Sequence, residues 1–224
     1  MRTGLGRSHL PLSAELDAYI FANNPSEPPE LRELRERGLA SPNRRWQASP
    51  EQAAFLALMV KISGAKRIIE VGTFMGYSAM AMALALPADG QLITCDIDAA
   101  NVATGRRFWR EAHVDGRIDA RICPALATLA ALAEEQPDSF DLAFIDGEKT
   151  EYDDYYELAL QIVRPGGVMI LDNMLRRGEV ARSDLNDTTL QTIRALSRKI
   201  AKDSRIDHVL LSMGDGVTIV RRIA

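Results

Sequence analysis

The hydrophobic pattern of this chain changes at about residue 49, where short apolar runs begin to alternate with longer amphipathic segments. Runs of that length are typical of buried strands, and the segments between them have helical spacing. The alternation predicts a parallel sheet with helices on both faces. The predicted strands cover residues 67–71, 91–96, 118–123, 140–146 and 168–172, and the predicted helices cover residues 50–62, 77–86, 99–112, 124–135 and 152–163.

The end of the chain follows a different pattern, because two strand-like segments come close together after a predicted helix at residues 188–202. The strands cover residues 208–213 and 217–222, and Gly214-Asp215-Gly216 between them predicts a tight hairpin turn. We therefore predict an α/β fold of the Rossmann-like type, with a seven-stranded, mostly parallel sheet that finishes in a C-terminal antiparallel hairpin.

Before residue 49 the chain reads as a helical arm. One helix is predicted over residues 13–23 with Ser13 as its N-cap, and a second helix over residues 29–37 is expected to stop at Gly38. We expect this arm to contact a second copy of the chain or the substrate site. The predicted domains are residues 1–48, the N-terminal helical arm, and residues 49–224, the main domain.

The composition and charge exclude several classes of protein. Of the 224 residues, 46% are hydrophobic and 26% are charged, which is typical of a soluble globular chain. The net charge of −4 gives no basic surface for nucleic acid, and no apolar run approaches the roughly 20 residues of a membrane helix. Residues 1–11 lack the apolar stretch of a secretory signal, and the two cysteines, Cys95 and Cys123, suit a reducing compartment. We predict a cytoplasmic protein without a nucleic-acid or membrane partner.

A loop with two glycines connects the first predicted strand to the helix that follows it. Gly72 and Gly76 permit a ligand to approach closely, and the helix presents its first amides to the same place. Asp96 ends the next strand, where an acid accepts hydrogen bonds from the ribose hydroxyls of an adenosine. Glu70 lies at the end of the first strand, close enough to meet a cationic group of a ligand that binds at this loop. The alternative for the two glycines is an ordinary strand-to-helix turn.

Polar side chains also follow the fourth and fifth predicted strands. Asp146 ends one strand, and Asp172 and Asn173 end the other, so they converge at one edge of the sheet if the two strands are neighbours. Two carboxylates and an amide oxygen suit Mg²⁺, Mn²⁺ or Ca²⁺ better than zinc. Glu148 is a candidate for a further or water-mediated ligand. The alternatives are that Asp and Asn only form turns here and that Glu148 is a solvated loop acid.

Several ordered motifs extend over the chain from about Trp46. They are Ile68-Ile69-Glu70-Val71-Gly72-Thr73 with Gly76-Tyr77-Ser78, Phe144-Ile145-Asp146-Gly147-Glu148-Lys149 with Tyr152, Gly166-Gly167 with Leu171-Asp172-Asn173, and Gly214-Asp215-Gly216. Together they resemble the cation-dependent O-methyltransferases of the caffeoyl-CoA and catechol type. The fold that this resemblance implies is the Rossmann-like methyltransferase fold, whose sheet usually ends in an antiparallel hairpin.

The resemblance implies a methyl transfer from S-adenosylmethionine to a hydroxyl of a small molecule, with a divalent cation, most simply Mg²⁺, and a homodimer. Chelation by the metal predicts a catechol-like or vicinal-diol acceptor. Lys149 matches the lysine proposed as base in the family, and Asp146 is the second catalytic candidate. The implied cofactor-binding residues are Glu70, Gly72, Thr73, Gly76, Ser78, Asp96, Ala125, Asp146 and Tyr155, and the implied metal ligands are Asp146, Asp172 and Asn173.

The chain departs from the family's pattern at two places. Glu148 stands where the family often has Asp, and Arg176 and Arg177 occupy the stretch in which plant members carry a tryptophan for an aromatic substrate. The arginines favour an anionic or polyhydroxylated acceptor at least as much as a caffeoyl-type one. Ordinary surface charge is the alternative for both arginines.

Two other functions are compatible with a sheet of this type. A nicotinamide-dependent oxidoreductase is disfavoured because the loop lacks the middle glycine of Gly-x-Gly-x-x-Gly and the sheet ends in a hairpin. A binding protein that has lost its chemistry is disfavoured because Asp146, Lys149, Asp172 and Asn173 are all present.

Overall fold

The computed structural model describes residues 13–223 and contains one seven-stranded sheet. The strand order is β3-β2-β1-β4-β5-β7-β6, in which β1 to β5 are parallel and β7 is antiparallel to both of its neighbours. This confirms the predicted sheet with its terminal hairpin. The strands are β1 Arg67–Val71, β2 Gln91–Asp96, β3 Ile118–Ile122, β4 Phe140–Ile145, β5 Val163–Leu171, β6 Ile206–Leu211 and β7 Val217–Arg222.

The bounds of β3 to β6 differ from the predictions. β3, β4 and β5 each end one residue earlier, and β6 covers residues 206–211 instead of 208–213. β5 begins at Val163, because Val163 already pairs with Phe140 before the turn-like Pro165 and Gly166. The connection from β6 to β7 is also longer than the predicted tight turn and runs over residues 212–216. It is longer because it receives the segment after β5, where the Met174 amide donates to the Gly216 carbonyl over 2.9 Å.

Helices cover both faces of the sheet, as the alternating pattern predicts. One apolar core lies between the sheet and α2 to α5, and the other lies between the sheet and α6 to α8. The helices are α1 Ala14–Asn23, α2 Pro29–Leu39, α3 Pro50–Ser63, α4 Tyr77–Ala85, α5 Ala99–Glu111, α6 Ala125–Glu135, α7 Tyr152–Ile162 and α8 Thr188–Ile200. Among residues 13–223, no helix is both long and apolar enough to cross a bilayer.

The described part of the arm packs onto the domain as two helices. Residues 1–12, on which the prediction about a secretory signal falls, lie outside the described residues. Ser13 caps α1 as predicted. The predicted stop of α2 at Gly38 is wrong, because the helix continues to Leu39. Gly38 lies inside α2, and the end of the Gln47 side chain packs against it.

The mostly buried carboxylate of Glu27 connects the arm to the start of α4. Glu27, between α1 and α2, forms an ion pair with Arg35 at 2.8 Å. The hydroxyl of Tyr77, the first residue of α4, donates to Oε1 of the same carboxylate. The arm therefore contacts the helix that follows the glycine loop.

Candidate active site

A cavity of about 970 Å³ opens at the carboxyl edge of the parallel strands, between the arm and the loops that follow β1, β2, β4 and β5. This is the edge at which open α/β sheets bind ligands, and the size suits a cofactor together with a small substrate. The structure brings most of the predicted site residues to this one cavity. Those that line it are Gly72, Thr73, Ser78, Asp96, Ala125, Asp146, Lys149, Tyr155, Asp172 and Asn173.

The cavity has two chemically different ends. We call residues 70–78 with Thr94 and Asp96 the loop end. We call Asp146, Lys149, Asp172 and Asn173 the acid end.

At the loop end, Asp96 organises the backbone of the glycine loop. Its Oδ2 accepts hydrogen bonds from the amides of Thr73 at 3.0 Å and Phe74 at 2.7 Å, and its Oδ1 accepts one from Asp98 at 2.9 Å. A carboxylate has about four acceptor positions, so one position, on Oδ1, remains for a ligand hydroxyl. Asp96 therefore holds the loop and faces the cavity at the same time.

Glu70 lies behind the wall of the cavity rather than on its surface. The side chain is fully buried and accepts hydrogen bonds from the hydroxyls of Ser78 at 2.6 Å and Thr94 at 2.5 Å. Burial raises the pKa of Glu70 to about 8, although both hydroxyls oppose the rise. The contact of Glu70 with the cofactor stays a prediction. Ser78, which donates to Glu70, lines the cavity in its place.

Gly76 is also absent from the cavity lining, and the structure gives a different reason for this glycine. A Cβ at Gly76 would lie 2.2 Å from the indole ring of Trp109, whose Nε1 donates to the Gly76 carbonyl over 3.1 Å. The position is therefore glycine because α5 packs against it. Ligand approach at Gly76 stays untested.

Gly72 connects the two ends of the cavity. It has a φ of +94°, and a Cβ there would lie 2.3 Å from the backbone oxygen of Asp146. Its own amide donates to the Cys95 carbonyl over 3.0 Å, and the Asp146 amide donates to the Val71 carbonyl over 2.8 Å. The glycine loop can therefore lie directly against the end of β4 only without a side chain.

At the acid end, Asp146 and Asp172 follow neighbouring strands. Ile145 pairs with Leu171, and the Asp172 amide donates to the Ile145 carbonyl over 3.0 Å. Burial raises the pKa of Asp172 to about 7, and repulsion from Asp146 adds to the rise. Burial also raises the pKa of Asp146, although Lys149 opposes that rise. The predicted convergence of these two acids is confirmed.

Lys149 supplies a cationic side chain that contacts Asp146. Its Nζ lies 2.7 Å from Oδ1 of Asp146 and 2.9 Å from the Gly147 carbonyl oxygen, with both charged side chains mostly buried. One ammonium balances only one of two neighbouring carboxylates. The acid end therefore favours a further cation.

The donor atoms at the acid end fit a hard divalent cation. No cluster of three or more His, Cys, Asp or Glu side chains suited to a metal occurs in residues 13–223. Asp146 and Asp172 would therefore need a third protein donor of another type, and Asn173 lines the same cavity. Carboxylate and amide oxygens are the ligands that Mg²⁺, Mn²⁺ and Ca²⁺ prefer. Glu148 instead caps the next turn, where it accepts hydrogen bonds from the Thr150 amide and hydroxyl.

Gln52 is a cavity residue to which the sequence analysis gave no site role. Gln52, on α3, is buried at the cavity, and its amide opposes the rise in the pKa of Asp172. In the sequence it reads only as part of a helix start. Trp46 also lines the cavity, with its ring 5.8 Å from that of Phe74 in an edge-to-face contact. The arm therefore forms one wall of the site, as one of its two predicted roles requires.

Comparison with known proteins gives a consistent family. A family model described as O-methyltransferase matches residues 22–223. The chain is 39% identical over 206 residues to the catechol O-methyltransferase domain-containing protein 1 of Mus musculus, covering 92% of this chain and 79% of that protein. It is 37% identical over 231 residues to caffeoyl-CoA O-methyltransferase 2 of Zea mays, covering 98% of this chain and 87% of that protein.

A solved structure has the same fold. The O-methyltransferase from Bacillus cereus in complex with S-adenosylhomocysteine superposes with a TM-score of 0.84 at 31% identity, covering 93% of this chain and 97% of that one. The arm and the hairpin thus belong to an architecture that occurs in other proteins.

Proposed function

This chain belongs to the O-methyltransferase family, and we propose that it transfers the methyl group of S-adenosylmethionine to one hydroxyl of a small vicinal diol or catechol, with the help of a divalent cation. One observation carries the proposal. The glycine loop held by Asp96 and the paired acids Asp146 and Asp172 line the same cavity. A methyl donor and a chelated hydroxyl would therefore lie side by side, which is the positioning that methyl transfer needs.

The loop end would hold the cofactor. Asp96 faces the cavity with a remaining acceptor position for a ribose hydroxyl, and Gly72 lets the backbone approach without a side chain. Ser78 offers a hydroxyl at the cavity surface, backed by Glu70. The B. cereus relative, whose structure contains S-adenosylhomocysteine, supports this choice of cofactor.

The acid end would hold the cation through Asp146, Asp172 and Asn173. A divalent cation in that place favours the deprotonated form of an acceptor hydroxyl and offers a second position for a neighbouring oxygen. This is the reason for proposing an acceptor with two adjacent hydroxyls. The names of the mouse and maize relatives refer to catechol and caffeoyl groups and support the same class.

Lys149 is the proposed proton acceptor. It lines the cavity, and its amine can take the hydroxyl proton when it is not held as an ammonium by Asp146. The acceptor oxygen then forms a bond to the methyl carbon while the bond from carbon to sulfur breaks. The products are a methyl ether and S-adenosylhomocysteine, and the released proton stays on Lys149 until solvent removes it.

The test is an assay of the purified chain with S-adenosylmethionine, Mg²⁺ and catechol, with phenol as the matched acceptor that lacks the second hydroxyl. We expect a methyl ether and S-adenosylhomocysteine from catechol, little product from phenol, and loss of turnover after EDTA and dialysis that Mg²⁺ restores. Turnover that survives removal of the metal would refute the cation, and equal turnover of phenol would refute chelation.

The alternatives from the sequence are addressed by ligand binding. A thermal-shift experiment that compares S-adenosylhomocysteine with NAD should give a shift only with the former, since every similar protein reported above is a transferase by name. A chain that binds S-adenosylhomocysteine but methylates no diol would be the inactive binding protein.

We also propose that two copies of the chain associate. Support comes from apolar side chains that the described chain leaves exposed, including Leu58 and Ile62 on α3 and three consecutive residues from Val209 on the edge strand β6. Analytical ultracentrifugation tests this, and a monomer at assay concentrations would contradict it. The cytoplasmic location and the absence of a nucleic-acid partner stay predictions.

A further inference from the structure

Three arginines line the cavity without a carboxylate partner among residues 13–223. Arg176 and Arg177 follow β5, and Arg45 belongs to the arm. None of the three takes part in an ion pair within this part of the chain, whereas Arg35 and Arg205 each bind a carboxylate. Guanidinium groups are charged at every physiological pH, so these three bring positive charge to a cavity that carboxylates also line.

Arg176 is the most constrained of the three. The residue is half-buried, and its Nε has no hydrogen-bond partner in the described chain and almost no contact with solvent. A buried N–H group without a protein partner is unfavourable, which suits an acceptor oxygen that binds this guanidinium. Arg176 lines the same cavity as Asp146 and Asp172.

The backbone fixes both arginines of this segment. Arg176 and Arg177 have φ values of 45° and 55°, which are rare for residues with side chains, and Gly178 follows at 81°. Asp215, in the β6–β7 connection, holds the bend because its carbonyl accepts from the Leu175 amide over 2.8 Å and its carboxylate accepts from the Arg177 amide. The segment is therefore a built part of the cavity wall.

We infer that the methyl acceptor carries a carboxylate or a comparable oxyanion in addition to its hydroxyl pair, and that Arg176, assisted by Arg177 and Arg45, recognises it. This inference rests on the proposed function. A guanidinium presents parallel N–H donors that match the two oxygens of a carboxylate. The hydroxyl pair belongs at the acid end, whereas Asp146 and Asp172 would repel the oxyanion, so the two groups are sorted by charge.

The experiment compares two catechols of which only one carries a negative charge, 3,4-dihydroxybenzoate and its methyl ester. Caffeate and methyl caffeate form a second pair with a longer reach. With S-adenosylmethionine and Mg²⁺, we expect kcat/KM to be about tenfold or more higher for an acid than for its ester, mainly through KM. Raising the salt concentration should weaken the preference for the acid and leave the ester unchanged.

Variants assign the preference to Arg176. Arg176→Gln should remove most of the acid-over-ester ratio while it leaves kcat/KM for the ester within about threefold, and Arg176→Lys should restore part of the ratio. Arg177→Gln and Arg45→Gln should have smaller effects, because both side chains are exposed. Arg44→Gln is the matched control, since Arg44 adjoins Arg45 but does not line the cavity.

Three results would overturn the inference. They are equal turnover of acid and ester by the unmodified protein, an Arg176→Gln variant that slows both equally, and an Arg176→Gln variant that raises KM for S-adenosylmethionine instead. Thermal shifts with each probe, in the presence of S-adenosylhomocysteine and Mg²⁺, read the same preference without turnover. Failure to methylate any of the four probes would count against the proposed function, whereas methylation without a preference for the acids would count against this inference alone.

Discussion

The two ends of the cavity stabilise their acidic side chains in different ways. At the loop end, Asp96 is held by three backbone amides and Glu70 by two hydroxyls. At the acid end, Asp146 and Asp172 follow adjacent strands, and Lys149 forms an ion pair with Asp146. The acids of the loop end therefore have hydrogen-bond donors from the protein, whereas Asp172 at the acid end has no ion-pair partner among residues 13–223.

The difference indicates which kind of ligand, neutral or cationic, each end would bind. Neutral donors orient Asp96 in advance, so a cofactor with neutral hydroxyls binds without rearrangement. Carboxylates that repel each other are stabilised by a positive charge, so the acid end gains most from a cation. Four substitutions test this difference between the two ends, in order of decreasing expected effect.

Removal of one acid should affect catalysis most. We expect Asp172→Asn to lower kcat/KM for catechol by about 100-fold or more, because the cation loses a charged ligand. The same variant should keep or raise its melting temperature in metal-free buffer at pH 8, since a repulsive charge is gone, and should lose the shift that Mg²⁺ induces. Asp119→Asn, at an exposed acid paired with Arg121, is the control and should match the parent.

Gly72 tests whether the two ends depend on each other. Gly72→Ala should lower the free energy of unfolding by about 2–4 kcal/mol, because the backbone has a positive φ and the Cβ would meet the Asp146 carbonyl. Binding of both S-adenosylhomocysteine and Mg²⁺ should weaken. Gly116→Ala is the matched control, since a Cβ there meets nothing within 4 Å. Equal melting temperatures for the two variants would show that the ends are independent.

Glu70 tests the loop end through pH. Its folded pKa of about 8 lies above the ordinary value of 4.5, so the folded state keeps a proton that the unfolded state has lost between those values. Stability should therefore fall as pH rises through that window and level off above it. Glu70→Gln should remove this dependence and gain on the parent by about 2 kcal/mol between pH 5 and pH 7, measured by urea unfolding. Parallel profiles would contradict the assignment to Glu70.

Asp96 should give the smallest effect. Asp96→Asn keeps the shape but loses charge on the acceptor of the Thr73 and Phe74 amides, so we expect KM for S-adenosylmethionine to rise about tenfold with little change in kcat. Calorimetry with S-adenosylhomocysteine should show the same loss. Asp98→Asn is the control, since Asp98 caps α5 and does not line the cavity. A fall in kcat alone would place Asp96 in the chemical step instead.

Much of the fold could be predicted because the period of the apolar pattern reports local structure directly. The bounds of β1, β2 and β7 match the prediction, and β4 and β5 are neighbours as the metal hypothesis required. Gly38 does not end its helix, and Gly76 has a structural reason that its sequence neighbours do not show, because the ring of Trp109 packs against it. A local pattern contains no information on such neighbours.

The sequence by itself determined the alternating architecture, the family resemblance and the chemical types of the site residues, since these depend on spacing and on the functional groups present. Only the tertiary structure decided that Glu70 lies behind the wall, that Gln52 and Arg45 reach the cavity, and that Arg176 has a buried nitrogen without a partner. The physical reason is that burial and charge balance are set by residues far apart in the chain, which meet only when the helices and the arm close over the sheet.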